Sequence, residues 1–123
     1  MNDFRNLRVW NLAHALALAV YRSTAGFPRS ERFGLVAQMR RAAVSVPANI
    51  AESCGRRTRR DEARFLHVAL GSASELEAEL LLARDLQYLG DEDARQLASD
   101  TADVKRMLGS LARRTFARAA EGR

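Results

Sequence analysis

The stretch that decides the fold is residues 30–54, SERFGLVAQMRRAAVSVPANIAESC. Its apolar side chains recur every three or four residues, which places them on one face of an α-helix. This apolar stripe consists of Val36, Met39, Ala43, Val46, Ile50 and Cys54. Ser30 suits the N-cap of such a helix, and Gly55 suits the position after its last turn. The pattern therefore predicts a helix over about residues 31–54.

Pro47 lies inside this pattern and has no backbone N–H to donate to the carbonyl of Ala43. Two outcomes are open: one helix that bends at the proline, or two shorter helices that meet there. The bent helix is favoured.

The same spacing recurs in three other segments and predicts helices over about residues 3–24, 59–89 and 92–118. Helix one has a stripe of Leu7, Trp10, His14, Ala17 and Tyr21 and a neighbouring stripe of Val9, Ala13, Leu16 and Val20. The stripe of helix three consists of Phe65, Ala69, Ala73, Leu76, Leu80 and Ala83. The stripe of helix four consists of Leu97, Thr101, Val104, Leu108, Leu111 and Thr115. The connections are short, so consecutive helices should be antiparallel neighbours. No stretch alternates with the period of a strand. The sequence predicts one all-α domain over residues 1–123, an antiparallel up-down-up-down four-helix bundle.

The second apolar stripe on helix one widens the face that this helix must bury. One stripe satisfies the core of a monomer, so the other suggests a contact between subunits.

The composition is basic, with a formal net charge of +5 and a pI near 10.6. Such a charge favours anionic partners, either nucleic acid or an acidic protein surface, although solubility alone would also explain it. The single cysteine cannot form an intramolecular disulfide, which fits a reducing compartment. The apolar runs are too short for a membrane span, and the start lacks the layout of a signal peptide. A cytoplasmic protein without a membrane partner is expected.

The antiparallel order gathers most of the positive charge at one end of the bundle. That end combines the start of helix one, the turn between helices two and three, and the end of helix four. Its eleven arginines against five acidic residues leave a net charge of +6: Arg5, Arg8, Arg56, Arg57, Arg59, Arg60, Arg64, Arg113, Arg114, Arg118 and Arg123 against Asp3, Glu52, Asp61, Glu62 and Glu121. The opposite end has seven basic and seven acidic residues and is neutral.

The candidate nucleic-acid-binding residues lie at this positive end: Arg56, Arg57, Arg59, Arg60, Arg64, Arg113 and Arg114. Arginines near a helix C-terminus stabilise the helix dipole, which explains Arg56, Arg57, Arg113, Arg114 and Arg118 without any ligand. Arg59, Arg60 and Arg64 lie at a helix start, where positive charge is unfavourable, so they favour a contact with phosphate. The alternatives are a solvated surface and an acidic protein partner. Aromatic residues do not interleave the run 56–60, so recognition of the backbone or of shape is expected rather than base stacking.

A second candidate is a stripe of polar residues along helix two: Gln38, Arg41, Ser45, Asn49, Glu52 and Arg56. Ser72, Glu75 and Glu79 share a face of helix three and could accept hydrogen bonds. We expect an interhelical or intersubunit polar network that links Arg41 to Glu75 or Glu79. The alternative is an ordinary solvent-facing surface.

The residue patterns that carry chemistry are missing. His14 and His67 lie on different helices without the Glu-x-x-His spacing of a di-iron bundle, so neither a metal nor a cofactor is expected. Cys54 lies on the apolar stripe and is expected to be a small core residue. No glycine-rich phosphate loop and no Ser-His-Asp arrangement is visible. The sequence predicts a protein that is not an enzyme.

The stretch from Gln38 to Glu52, QMRRAAVSVPANIAE, resembles a known family, and Leu7, Val9, Trp10, Phe27-Pro28 and GSASELE at residues 71–77 support the resemblance. The family is the four-helix-bundle group named for proteins encoded in 23S rRNA intervening sequences, and the name reflects gene location. The resemblance covers nearly the whole chain. It implies an antiparallel four-helix bundle that assembles as a homopentamer, with no established activity for most members. A related branch, the accessory variability determinant of diversity-generating retroelements, forms basic pentameric rings that contact nucleic acid and a reverse transcriptase. This chain departs from its relatives at Ser53, where a glycine commonly follows the glutamate, so the turn after helix two can differ.

The favoured function is therefore a non-enzymatic, homo-oligomeric protein, a pentamer by its resemblance, that binds nucleic acid through its arginine-rich end, with RNA somewhat favoured over DNA. The alternative is a protein-interaction scaffold that recruits an acidic protein and binds no nucleic acid.

Overall fold

The computed structural model describes residues 3–121 and contains four long helices. They are α1 (Arg8–Thr24), α2 (Leu35–Cys54), α3 (Arg59–Asp85) and α4 (Asp91–Glu121), with short 3-10 turns at Phe4–Asn6 and Arg29–Glu31. Each helix packs against the next one along the chain, and α1 packs against α4 to close the bundle. No strand occurs between residues 3 and 121. The predicted antiparallel four-helix bundle is confirmed.

The core is built largely from the predicted apolar stripes. All six residues of the α2 stripe are buried, as are Val9, Ala13, Leu16 and Val20 of α1. Ten alanines among residues 3–121 are buried in the core, and such small side chains let neighbouring helices approach closely. On α3 the buried face includes Ala63 and Leu66, whereas Phe65 of the predicted stripe is only partly buried. The other predicted stripe on α1, from Leu7 to Tyr21, is only partly covered, since His14 and Tyr21 are exposed.

Two helices begin later than the sequence predicts, because local turns precede them. Asp3 caps the first 3-10 turn by accepting a hydrogen bond from the backbone of Arg5, so α1 begins at Arg8. Ser30 lies inside the second 3-10 turn and does not cap α2. The N-cap position is Gly34, and the side chain of Glu31 caps the first turn from outside the helix, because its Oε1 accepts a hydrogen bond of 3.2 Å from the N–H of Leu35.

The glycine at position 34 leaves the Glu31 side chain close to the backbone at this junction. A Cβ at Gly34 would lie 3.0 Å from Oε1 of Glu31, so the missing side chain makes room for the capping carboxylate.

Helix α3 ends at Asp85, four residues before the predicted end, because Gln87 adopts a φ of 63°. The N–H of Tyr88 donates to the carbonyl of Ala83 at 3.0 Å, and the N–H of Gln87 donates to that of Arg84 at 2.9 Å. These two bonds form a Schellman motif, which satisfies the last carbonyls of the helix. Helix α4 begins near the predicted residue and continues three residues beyond the predicted end at 118.

Helix α2 is continuous through Pro47, so the alternative of two shorter helices is wrong. Pro47 is buried, and the size of the bend remains a prediction. After Glu52 the helix continues to Cys54, where Gly55 ends it. Ser53 is buried, and its hydroxyl donates to the carbonyl of Ile50 at 2.6 Å. A serine at this position therefore fits inside the last turn.

Replacing Gln87 by glycine should stabilise the protein, because glycine adopts a positive φ without the Cβ clash that glutamine suffers. We expect the free energy of unfolding to rise by about 0.5–1 kcal/mol. Chemical denaturation measures the change, and Ala98→Gly, at an exposed position inside α4, is the matched control. The control should lower the free energy of unfolding by about 1 kcal/mol. A Gln87→Gly variant less stable than the parent would contradict the role given to this residue.

Candidate nucleic-acid interface

The basic end of the molecule is formed by the α2–α3 turn, the first turns of α3 and the last turns of α4. These segments are adjacent in space, as the antiparallel order predicted. They border an open groove of about 510 Å³ lined by Arg57, Arg59, Arg60, Phe116 and Arg118, together with Thr58, Ala119 and Ala120. Arg123 of the predicted cluster lies outside the described residues.

The start of α3 carries both a cap and compensating charge. Thr58 is the N-cap, and its hydroxyl accepts a hydrogen bond of 3.1 Å from the N–H of Asp61. Asp61 pairs with Arg64 at 2.7 Å, and Glu62 lies 3.8 Å from Arg59. Burial raises the pKa of the Glu62 carboxyl, although the charge of Arg59 opposes this shift. The acidic first turn thus offsets part of the positive charge that Arg59 and Arg64 bring to the helix start.

Arg56 connects the two helices that meet at this end. Its guanidinium pairs with Glu52 of α2 at 2.8 Å and approaches Asp61 of α3 at 3.7 Å. The same group lies over the ring of Phe65, 5.2 Å from its centroid. Its Nε is buried and has no hydrogen-bond partner among residues 3–121. These contacts give Arg56 a structural role, and a phosphate contact by this residue stays a prediction.

The other predicted arginines divide into engaged and open side chains. Arg59 and Arg64 form the ion pairs described above, and Arg114 donates to the hydroxyl of Ser110 at 2.8 Å. At the α2–α3 turn and the neighbouring part of α4, Arg57, Arg60, Arg113 and Arg118 are exposed and form no ion pair within the described part of the chain. The same is true of exposed arginines elsewhere, among them Arg8, Arg22 and Arg95. Arg118, outside the predicted set, completes the wall of the groove. The open arginines are the part of this surface best able to receive an anion.

Phe116 is the residue that sequence reasoning missed. Its side chain is 60% exposed on α4, yet it lies beside the turn that carries Arg57 and Arg60. The run 56–60 contains no aromatic residue, and the fold adds one from α4 beside it. Recognition of the backbone or of shape without base stacking stays a prediction. An aromatic residue among arginines could have been found at the end of helix four, because Phe116 lies between Arg114 and Arg118 in the sequence.

The polar stripe on α2 forms a network with α3 in its central part. The hydroxyls of Ser45 and Ser72 lie 2.7 Å apart. Asn49 donates through Nδ2 to the carbonyl of Ser45 at 2.8 Å and to its hydroxyl at 3.0 Å. At the ends of the stripe, Gln38 is exposed and Glu52 pairs with Arg56.

The expected link from Arg41 to Glu75 or Glu79 is not an ion pair within residues 3–121. Glu79 is only 8% exposed, and its Oε1 has no hydrogen-bond partner in that range. Burial, followed by the neighbouring Glu75 carboxylate, raises the pKa of Glu79 to about 7, while Arg41 acts in the opposite direction. Arg41 therefore influences Glu79 through its charge and not through a direct contact. The intersubunit form of this network stays a prediction.

The remaining candidate groups are dispersed. His14 stacks on Trp10 with ring centroids 4.8 Å apart, and Nδ1 of His67 lies 2.9 Å from the carbonyl of Ala63. Burial raises the pKa of the Cys54 thiol. Between residues 3 and 121, no group of three or more His, Cys, Asp or Glu side chains could hold a metal ion. In the same part of the chain, no helix combines the length and apolar character that a membrane crossing requires.

Comparison with known proteins gives a family and a fold. The family described as 23S rRNA-intervening sequence protein matches residues 5–110. A crystal structure of a protein of unknown function from the S23 ribosomal protein family of Bacteroides thetaiotaomicron superposes with a TM-score of 0.77 at 24% identity. The match covers 85% of this chain and 97% of that one. No curated protein matches the sequence significantly.

The buried carboxyl of Glu79 should make stability depend on pH. Its pKa of about 7 lies above the unfolded value of 4.5, so the folded state binds the proton more tightly. The stabilisation from this proton is present below about pH 4.5 and is lost as the pH rises through about 7, by roughly 3 kcal/mol at most. We expect Glu79→Gln, which stays neutral, to lose less stability than the parent between pH 4.5 and 8 in urea denaturation. Glu92→Gln, at an exposed position of α4, is the control. Parallel pH profiles for the parent and Glu79→Gln would contradict the assignment.

Proposed function

The chain belongs to the 23S rRNA-intervening sequence protein family, and from that premise we propose that it is a homo-oligomeric protein that binds nucleic acid through its basic end. The observation that carries the proposal is the set of open arginines, foremost Arg57 and Arg60, on the groove between α3 and α4. Exposed side chains of one sign beside a concave surface concentrate the electric field there. A polyanion is the ligand that such a surface attracts.

The chemistry of the groove supports phosphate as the group that is bound. A guanidinium presents a planar fork of N–H donors that matches two phosphate oxygens at once. Arg57 and Arg60 lie on either side of the α3 N-cap, where backbone N–H groups and the helix dipole also favour an anion. RNA is favoured over DNA only by the resemblance of the chain to proteins encoded within ribosomal RNA genes.

We propose a non-enzymatic role because guanidinium groups stay charged and neither accept nor release protons. The groove can therefore bind and orient a phosphate backbone, but its arginines supply no general acid or base. Cys54 and the two histidines do not line this groove.

Self-assembly, with a pentamer as the resemblance implies, is the second part of the proposal. Ala78, Leu82 and Leu86 follow each other at helical spacing on α3 and are all exposed, as is Val44 on α2. Phe33, directly before α2, is 86% exposed. Apolar surface of this kind on two adjacent helices favours a contact between subunits. Assembly would repeat the basic end several times on one particle and raise its avidity for a long polyanion.

A scaffold for an acidic protein is the alternative, because carboxylates also pair with guanidinium groups in a bidentate manner. Binding to bare nucleic acid separates the two functions, since the scaffold needs no affinity for it.

Binding should be lost when the open arginines are removed. We expect the protein to bind labelled structured RNA and duplex DNA in fluorescence anisotropy, with affinity that falls steeply as salt increases. Arg57→Ser/Arg60→Ser should weaken binding at least tenfold and lower the slope of log K against log salt by about 1.5. The control, Arg22→Ser/Arg95→Ser, removes the same charge from two exposed sites near the opposite end. If both double variants lost the same affinity, net charge alone would explain the binding. If the parent protein bound no nucleic acid at low salt, the proposed function would fail and the scaffold function would remain.

Assembly should depend on the exposed leucines of α3. We expect Leu82→Glu/Leu86→Glu to lower the mass measured by multi-angle light scattering to that of a monomer of 13.7 kDa, because charges would be buried in the contact. Ala102→Glu, at an exposed position of α4, should leave the mass of the assembly unchanged. A monomeric parent protein would contradict the proposal, as would an oligomer that tolerates both glutamates.

A further inference from the structure

Phe116 lies at the centre of the basic end, between two hollows of similar size. On one side is the groove of about 510 Å³ that it shares with Arg57, Arg59 and Arg118. On the other side is a hollow of about 500 Å³ that it shares with Arg64, His67 and Val68. Arg60 also borders both hollows, so a guanidinium group and the phenyl ring are shared between them.

The ring of Phe116 is available to a ligand. Phe65, a few residues from the arginine run, is covered by the guanidinium groups of Arg56 and Arg64, at 5.2 and 4.4 Å from its centroid. No comparable cation or ring contact involves Phe116 among residues 3–121. An aromatic side chain that is 60% exposed and uncovered leaves a flat apolar face in water. The described residues that line the groove beside it include no acidic side chain.

We propose that Phe116 is a stacking site for an unpaired nucleobase, with Arg57 and Arg60 holding the adjoining phosphates. This inference rests on the proposed function and specifies its ligand as single-stranded nucleic acid. A base stacks on an aromatic ring irrespective of sequence, whereas a base inside a duplex has both faces covered already. The hollow on each side of the ring has the size of an ordinary small-molecule site, so a strand could place a nucleotide on either side.

The stacking site lies outside the segment that matches the family. The family match ends at residue 110, and Phe116 lies six residues further along α4. Helix α4 continues to Glu121, which is what brings the ring level with the start of α3.

The test compares three labelled oligonucleotides of equal length: a single-stranded RNA 12-mer, the same RNA in a duplex, and an abasic 12-mer. Phe116→Ala should weaken binding of the single strand roughly 5- to 100-fold, while binding of the duplex and the abasic strand stays within twofold. Phe116→Tyr, which keeps the ring, should restore binding of the single strand. The salt dependence should be the same in Phe116→Ala as in the parent, because no phosphate contact is lost.

Other outcomes overturn the inference in distinguishable ways. If Phe116→Ala binds the single strand as tightly as the parent does, base stacking is refuted and the basic end alone remains as the binding surface. An equal loss for all three oligonucleotides, or a change of mass in light scattering, identifies Phe116 as a structural or subunit contact instead. If the parent protein binds none of the oligonucleotides at low salt, the proposed function fails and the stacking site fails with it.

Discussion

The short turn between α2 and α3 is the constraint on which the rest of the basic end depends. Only residues 55–58 separate the two helices, so α3 must begin beside the end of α2 and run back along it. Arg56 fixes this arrangement, because its guanidinium pairs with Glu52 before the turn and with Asp61 after it. The negative end of one helix dipole and the positive end of the next are thereby held side by side. This junction therefore decides which arginine side chains of residues 56–64 meet a carboxylate and which remain in solvent.

The junction explains why the arginines of one short run have different roles. Arg56 is drawn inward by carboxylates on both helices, and Arg64 is held by Asp61 one turn further on. Arg57 and Arg60 find no carboxylate within the described residues and remain in solvent. Arg60 lies in the first turn of α3, where positive charge costs roughly 0.3–1 kcal/mol, whereas Arg57 lies just after the C-terminus of α2, where the helix dipole favours it. A sequence that keeps such a cost without a compensating contact is typical of a functional surface.

Periodicity was sufficient to predict the bundle, because the spacing of Val36, Met39 and Ala43 is a local property of one helix. The helix ends depended on less regular chemistry. Glu31 caps α2 in place of Ser30, and Gln87 occupies a left-handed position that the sequence pattern assigns to glycine. These choices are decided by backbone turns of a few residues, which the apolar spacing does not encode.

The sequence predicted the positive charge of the candidate site but not the aromatic residue beside it. The antiparallel order correctly brought the end of α4 to the α2–α3 turn, since helix direction alone decides it. The proximity of Phe116 to Arg57 and Arg60 depends on the length of α4 and on its rotation, which the sequence stretch 56–60 cannot reveal. The burial of Glu79 beside Glu75 is likewise a matter of how α2 and α3 pack.

The length of the helices gives the charge separation a further consequence. Helix α3 has 27 residues and α4 has 31, so the two ends of the bundle are about 40 Å apart at 1.5 Å for each residue. Exposed charges are screened beyond about 8 Å at physiological ionic strength, so neither end experiences the field of the other. Because the excess positive charge lies at one end, the rod-shaped molecule has a permanent dipole moment along its axis. Within about one screening length of an extended polyanion, only the basic end is attracted, which favours contact through that end.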